Sequence, residues 1–157
     1  GELIFASGGH GAARVIRDGA VQVIAQERGP ALGLSSGIEF AMNRCQLQPG
    51  DCVALYTDGF DEALNDREEM LGEARVDELL GGDDPIDVRG ERMFAAVDEF
   101  SAGAPQFDDM TLMLVSLASL AGAVVALLAV RNRPSAVTRS TESRLSQARP
   151  YLRVSQP

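Results

Sequence analysis

The sequence contains no lysine and no tryptophan, and aromatic residues make up only 5% of its 157 positions. All 14 basic residues are therefore Arg, and they are outnumbered by 23 acidic residues, which gives a formal net charge of −9. Such a chain lacks the excess of positive charge on which nucleic-acid binding depends, so we expect no nucleic-acid partner. Two cysteines and one histidine are too few for a disulfide framework or a zinc cluster.

A secretory leader is also missing, because no basic segment is followed by an apolar core and a small-residue cleavage site. Together with the low cysteine content, this predicts a cytoplasmic protein. The chain begins with Gly rather than Met. We therefore expect that its N-terminal part is incomplete.

Charge divides the chain into two unlike parts. Residues 1–113 carry 22 acids and 8 Arg, a net charge of −14, whereas residues 114–157 carry 1 acid and 6 Arg, a net charge of +5. We expect a folded domain over residues 1–117 and an apolar segment of uncertain role over 118–133. Residues 134–157 are rich in Ser, Arg, Gln and Pro without an apolar period, which predicts a disordered basic tail.

The apolar segment has two interpretations. Leu112 to Val130 is a run of 19 residues in which only Ser116 and Ser119 are polar, long enough for a membrane-spanning helix. If residues 110–117 form a strand, only 13 residues of the run remain, 118–130, a length typical of a core or interfacial helix. Membrane association through this segment stays an alternative that we do not favour.

The remaining patterns predict an α+β domain with strands first and helices late. Strand-forming runs lie at 2–6, 14–17, 21–24, 40–47, 52–56 and 110–117, and the dipeptide Asp18-Gly19 predicts a tight hairpin between the second and third. Apolar residues at helical spacing predict helices over 73–80 and 87–101. We expect one core made of Val53, Leu55, Met93, Phe94, Val97, Phe100, Leu112 and Leu114.

Carboxylates stand where two predicted strands meet loops. Asp58 follows the strand at 52–56, and Asp108 and Asp109 precede the strand at 110–117. Adjacent acids at a sheet edge repel one another unless an Arg or a metal ion neutralises them. Oxygen ligands select hard cations such as Mg²⁺ or Mn²⁺. The alternative is that Asp58-Gly59 is a plain turn and that Asp108 is a solvated strand end.

Five short motifs follow one another in a fixed order. They are Ser7-Gly8-Gly9-His10-Gly11-Ala12, Ala31-Leu32-Gly33, Leu47-Gln48-Pro49-Gly50-Asp51, Tyr56 to Ala63, and Gln106 to Thr111. From Phe5 to Val115 the chain thereby resembles the C-terminal half of the PPM-type, metal-dependent serine/threonine protein phosphatases, in the bacterial branch typified by SpoIIE. The resemblance implies a layered α-β-β-α sandwich that is N-terminally incomplete in this sequence.

The same resemblance implies the site. Asp58 and Asp108 correspond to ligands of a binuclear Mn²⁺ or Mg²⁺ centre at which water attacks a phosphoserine or phosphothreonine. Gly59, Glu62, Asp109 and His10 are expected in supporting roles, and none of them is predicted to be catalytic. The family's first half contributes two further acidic motifs, Gly-Asp-x-x-Asp and Asp-x-x-Gly-x-Gly, which do not occur here. Two carboxylates alone are expected to hold a divalent ion weakly.

The expected function is a metal-dependent phosphoprotein phosphatase in bacterial signalling or sigma-factor regulation. Its expected partner is a phosphorylated protein, for which an anti-sigma-factor antagonist is the family precedent. The alternative is a catalytically inactive fragment or interaction module that retains half of the fold, with or without a membrane tether.

Overall fold

The computed structural model describes residues 1–11, 13–24, 29–117 and 124–132, which form seven strands and two α-helices. The chain order is β1 (Glu2–Phe5), β2 (Arg14–Arg17), β3 (Ala20–Val23), β4 (Asn43–Gln46), β5 (Cys52–Tyr56), α1 (Glu73–Leu80), α2 (Ile86–Ser101), β6 (Met110–Leu117) and β7 (Val124–Arg131). The segment predicted to be a disordered tail, 134–157, lies outside these described residues.

The β2–β3 hairpin is confirmed and its turn has a local cause. Asp18 and Gly19 both have positive φ, 48° and 74°, as a two-residue type I′ turn requires. Asp tolerates this conformation better than most residues, and Gly adopts it without strain. Arg17 consequently pairs with Ala20 in antiparallel register.

Five strands form one antiparallel sheet in the order β3-β2-β5-β6-β7, while β1 and β4 form a separate antiparallel pair. Strands dominate the first part of the chain, and both helices lie between β5 and β6. This confirms the predicted α+β class. The central pair β5–β6 matters most for the site, because the acidic motifs lie at its ends.

The helices pack on one face of the large sheet. Because side chains on a strand point alternately to its two faces, Cys52, Ala54 and Tyr56 of β5 point toward the helices. Helix α1 contributes Val76 and Leu80 to the same buried cluster. As predicted, this core also includes Met93, Phe94, Val97, Leu112 and Leu114.

Three residues assigned to this core from the sequence lie outside it. Val53 is buried and Leu55 is half-buried, but both belong to the opposite face of β5, since neighbouring side chains on a strand point to opposite sides. Phe100 is only half-buried and lies outside the cluster, near the C-terminal end of α2. This alternation could not be predicted from residues 52–56, because the side chains on both faces of the strand are apolar.

The interpretation of the apolar segment as a membrane helix is wrong for its second half. Residues 124–131 are strand β7, which pairs with β6 from Leu117↔Val124 to Met110↔Arg131. The sheet thus continues beyond residue 117, where we expected the domain to end. Neither helix among the described residues has the length and apolar character needed to cross a bilayer. Residues 118–123 lie outside the described part.

The face of the sheet opposite the helices carries exposed apolar side chains on β6 and β7. Met113 is 37% exposed, and Leu128 and Val130 are 45% and 39% exposed. Their neighbours in sequence, Leu112, Leu114 and Ala129, are buried in the helix-facing core. The described residues therefore provide one helical layer and one large sheet whose second face is apolar.

Candidate metal centre

The two acidic motifs lie at the same end of the central strand pair. Strand β5 ends at Tyr56 and continues into Asp58, while β6 begins at Met110, directly after Asp108 and Asp109. Because β5 and β6 are antiparallel neighbours with Tyr56 opposite Leu112, the end of one strand meets the start of the other. The structure thus brings Asp58 and Asp108 to one edge of the sheet.

Thr57 ties the two motifs together. Its backbone N–H donates to the Thr111 carbonyl at 3.0 Å, and its hydroxyl donates to the Asp109 carbonyl at 3.0 Å. The same hydroxyl oxygen accepts the Thr111 backbone N–H at 2.9 Å. A serine or threonine at this position therefore joins both loops at once.

Gly59 permits the close approach of these loops. A Cβ atom added to Gly59 would lie 2.6 Å from the carbonyl oxygen of Asp109, a distance that real side chains do not adopt. Only glycine therefore lets the loop after β5 pack on the loop before β6 at this point, while a supporting role of Gly59 in metal binding stays a prediction.

Both predicted ligand side chains, Asp58 and Asp108, are exposed. Among the described residues, no Arg forms an ion pair with the carboxylate of Asp58 or Asp108. The Asp58 carbonyl accepts the Glu62 N–H at 2.9 Å, which shapes the turn, and one carboxylate oxygen of Asp108 accepts the Asp109 N–H at 2.7 Å. Both side chains remain open to a ligand from solvent.

The three other predicted supporting residues occupy distinct places. Glu62 is half-buried and contributes its backbone N–H to the Asp58 turn. Asp109 is exposed, and its carbonyl is held by Thr57. His10 is exposed in the turn after β1, where its carbonyl accepts the Ser7 hydroxyl at 3.1 Å.

Next to Asp58 lies a cavity of about 260 Å³. The turn after β1, the start of β2, the end of β5 and the start of α1 enclose it, and its lining includes His10 and Asp58. The same cavity is lined by Gly9, Gly11, Arg14, Tyr56, Thr57, Asp61 and Glu73. His10 and Asp58, 48 positions apart in the sequence, thus share one concave surface.

Sequence reasoning missed Arg14, Asp61 and Glu73. Arg14 is only 2% exposed and forms ion pairs with Glu73 at 3.0 Å and with Asp77 at 2.9 Å. Its guanidinium carbon also lies 5.1 Å from the centre of the Tyr56 ring, a cation–π arrangement. The only available signal was the acid-rich segment after residue 58, which is easily taken for a solvated surface.

Negative charge accumulates in this cavity. Burial, followed by the charges of Glu73 and Asp58, raises the pKa of the Asp61 carboxyl above its ordinary value. Burial likewise raises the pKa of the Tyr56 hydroxyl, which has no hydrogen-bond partner among the described residues. The cavity is therefore better suited to a cation than to a free anion.

The donor set fits a hard divalent cation in chemistry but not in number. Carboxylate oxygens are the ligands that Mg²⁺ and Mn²⁺ prefer. In the described ranges, however, no group of three or more His, Cys, Asp or Glu side chains is arranged to hold a metal ion. The Asp58–Asp108 edge can supply part of a metal centre, and a complete centre requires further ligands.

Three comparisons with known proteins bear on the family and the fold of this chain. The family model for stage II sporulation protein E (SpoIIE) matches residues 1–118. Protein IcfG of Synechocystis sp. is 25% identical over 120 residues, which cover 73% of this chain and 18% of IcfG. The structure of the SiaA-PP2C domain of Pseudomonas aeruginosa aligns with a TM-score of 0.57 and 27% identity, covering 72% of this chain and 44% of that one. The chain thus spans less than half the length of either relative.

Proposed function

Because the chain belongs to the SpoIIE family of PPM-type protein phosphatases, we propose that it is part of a metal-dependent phosphoserine/phosphothreonine phosphatase. In this proposal Asp58 and Asp108 are two carboxylate ligands of a Mn²⁺ or Mg²⁺ centre. The remaining ligands come from a segment outside the described residues.

One observation carries this proposal: Thr57 and Gly59 clamp the two acidic motifs against each other. The Thr57 hydroxyl bonds both to Asp109 and to Thr111, and Gly59 leaves no room for a side chain against the Asp109 carbonyl. A plain turn and a solvated strand end need no such mutual fixing. Two loops held together, each with a carboxylate that has no basic partner within the described ranges, suit the binding of a hard cation.

The chemistry that such a centre supplies is activation of a water nucleophile and stabilisation of negative charge on the phosphoryl oxygens. The residues of this chain would position the metal ion. Asp58 and Asp108 would bind it, while Thr57 and the Glu62 backbone N–H orient the loop that carries Asp58. We assign Asp109 and His10 to supporting roles, since Asp109 contributes a backbone carbonyl to the clamp and His10 lines the adjacent cavity.

The open apolar face of the sheet supports the same proposal. An α-β-β-α sandwich needs a second sheet on the face where Met113, Leu128 and Val130 are exposed. Family relatives extend well beyond the matched region, since the alignment covers only 44% of the SiaA-PP2C domain chain. We propose that the same additional segment covers this face and brings the missing ligands.

The substrate and setting follow the family precedent. We propose a phosphorylated protein as the substrate, an anti-sigma-factor antagonist in particular, and a cytoplasmic location. The acidic composition agrees with a protein partner rather than with nucleic acid.

A second candidate is a non-catalytic interaction module that retains part of the fold. The observation in its favour is that the described residues hold no cluster of three metal-ligating side chains. This candidate predicts that no addition to the chain produces activity that depends on Asp58.

The deciding experiment compares the 157-residue chain with a version extended by a family-type N-terminal half. Hydrolysis of an aryl phosphate is measured with and without Mn²⁺. We expect no turnover above the Mn²⁺ buffer control for the chain alone, and Mn²⁺-dependent turnover for the extended protein. In the extended protein, Asp58→Asn and Asp108→Asn should each lower kcat by orders of magnitude, because each removes charge that holds the metal.

Asp109→Asn serves as the matched control, since Asp109 contributes its backbone carbonyl to the clamp and should tolerate the change with a smaller loss. Full activity of the extended protein after Asp58→Asn would contradict the proposal. Mn²⁺-dependent turnover by the 157-residue chain itself would contradict the requirement for further ligands.

A further inference from the structure

A second cavity, of about 240 Å³, lies at the opposite end of the central strand pair. Its walls are the β2–β3 turn, the β4–β5 turn, the connection between the two helices and the last residues of β6. Cys52, at the start of β5, and Ser116, near the end of β6, face each other in register there. The cavity is therefore separate from the edge that carries Asp58 and Asp108.

The wall of this cavity contains a buried cation, Arg89, which is only 4% exposed. Its guanidinium donates to the Gly82 carbonyl and contacts the Cys52 thiol. The Arg89 Nε is shut off from solvent and has no hydrogen-bond partner within the described ranges, and no carboxylate there pairs with the guanidinium. A buried charge without a counter-ion is unfavourable, so an anion that reaches the guanidinium from the cavity is favoured.

The acidic residues around the cavity do not fill this place. Asp51 is bound by Arg17 through two hydrogen bonds, at 2.9 and 2.6 Å, and Asp84 pairs with Arg92. Two further acids, Asp18 and Asp83, are exposed and lie at the rim.

The helix α2 adds positive potential to the interior. Its first residue, Ile86, lines the cavity, and the N-terminal end of a 16-residue helix carries a partial positive charge. The interior thus favours negative charge while the rim opposes it.

We propose that this cavity binds a small monovalent carboxylate that pairs with Arg89. A carboxylate offers two coplanar oxygens to a guanidinium, and its single charge is repelled less by Asp18 and Asp83 than a phosphate dianion would be. The cavity volume accommodates a ligand of a few heavy atoms. This site goes beyond the proposed phosphatase function and does not depend on it, because it shares no residue with the metal edge.

The test is a titration of the 157-residue chain with sodium acetate, in which chloride keeps the ionic strength constant. Amide NMR shifts at Gly82, Ser116 and Arg89 report on the cavity. We expect saturable shifts confined to this end of the sheet, and weaker shifts with inorganic phosphate. Arg89→Gln should weaken the apparent Kd for acetate at least about tenfold, whereas Arg89→Lys should weaken it less. Absence of saturable shifts, or tighter binding of phosphate than of acetate, would overturn the proposal.

A second pair of variants decides the matter if Arg89→Gln does not fold. Ser116 lies two positions beyond Leu114 on the helix-facing side of β6 and lines the cavity. Ser116→Asp places a carboxylate inside the cavity and should abolish acetate binding, whereas the neutral Ser116→Asn should retain it. If both variants bind acetate as the unaltered chain does, the proposal fails.

Discussion

The carboxylates at the two ends of the β5–β6 strand pair differ in burial and in hydrogen-bond partners. At one end Asp51 is 2% exposed and bound by both Arg17 and the Gln48 N–H, at 2.6 and 2.8 Å. At the other end Asp58 and Asp108 are exposed, and among the described residues no Arg pairs with them. The first arrangement fixes loops, and the second leaves charge available to an external cation. On a single sheet, Asp51 thus holds loops together, whereas Asp58 and Asp108 are the acids that we propose as metal ligands.

Arg14 shows how this difference is maintained. It is buried beside Asp58 in the same cavity, yet the structure pairs it with Glu73 and Asp77 of α1. The acidic side chains of α1 thus pair with the buried cation of this cavity, Arg14. In the part of the chain that the structure describes, Asp58 consequently has no ion pair although an Arg lies in the same cavity.

We expect the largest loss of stability from a substitution that disrupts the sheet joining the two ends of the β5–β6 pair. Leu114 is fully buried in the helix-facing core, so Leu114→Asp would bury an unpaired carboxylate at a cost of several kcal/mol. We expect loss of the cooperative thermal transition. The control is Met113→Asp on the exposed face of the same strand, which should lower stability far less. An unchanged transition in Leu114→Asp would contradict the assignment of β6.

The contribution of Asp51 to the stability of the fold should depend strongly on pH. Hydrogen bonds from Arg17 lower the pKa of the Asp51 carboxyl, although burial opposes this shift. A lowered folded-state pKa stabilises the fold above the ordinary value of about 4, and this stability is lost as pH falls through the lowered pKa. Urea unfolding at pH 7 should show that Asp51→Asn costs about 2 kcal/mol, and the difference should disappear in acid.

The matched variant at the other end is Asp58→Asn. It should change the stability of the metal-free chain by less than about 0.5 kcal/mol at pH 7, since it breaks no ion pair among the described residues. Equal losses for Asp51→Asn and Asp58→Asn would contradict the division into structural and functional acids.

Gly59→Ala tests the clamp between the acidic motifs. Its Cβ would meet the Asp109 carbonyl oxygen at 2.6 Å, so the two loops must separate. Thermal unfolding should show a loss of about 1–3 kcal/mol. Gly11→Ala, in the turn near His10, is the control, because a Cβ there meets nothing within 4 Å. A harmless Gly59→Ala would show that the loops are not held together.

A small effect of the opposite sign, a gain in stability, is expected at Asp61. Its pKa is raised by burial and by the charges of Glu73 and Asp58, so its ionised form destabilises the fold at neutral pH. Asp61→Asn should stabilise the metal-free chain by less than about 1 kcal/mol at pH 7, as measured by urea unfolding. The gain should vanish in acid, where Asp61 is protonated in both folded and unfolded states. A loss of stability at pH 7 would show that Asp61 has a favourable partner.

Local signals explain which elements were predictable. The turn at Asp18-Gly19 and the breaks at Gly81 and Ala102 depend on neighbouring residues only, and the hairpin and both helices were predicted within a residue or two. Strand β7 was not, because a run of Val, Leu and Ala suits either a helix or a strand. Only its pairing with β6 decides between them.

The site divides in the same way. Asp58 and Asp108 were proposed as metal ligands from motifs in the sequence, and Gly59 was given a supporting role from its place in one of them; these roles stay predictions. The ion pair between Arg14 and Asp77 joins residues 63 positions apart, and no local sequence pattern predicts it. Burial of Asp61 beside Glu73 likewise depends on where α1 packs, so the charge of the cavity emerged only from the fold.

The central claim is that Asp58 and Asp108 form one cation-binding edge and that the opposite end does not. Paramagnetic broadening of amide signals by Mn²⁺, titrated into the 157-residue chain, tests this directly. The account predicts that signals of 57–59 and 108–111 broaden first, that those near Asp51 are spared, and that the double variant Asp58→Asn, Asp108→Asn abolishes the effect. Broadening centred on the acidic segment 66–78, or unchanged in the double variant, would contradict the claim.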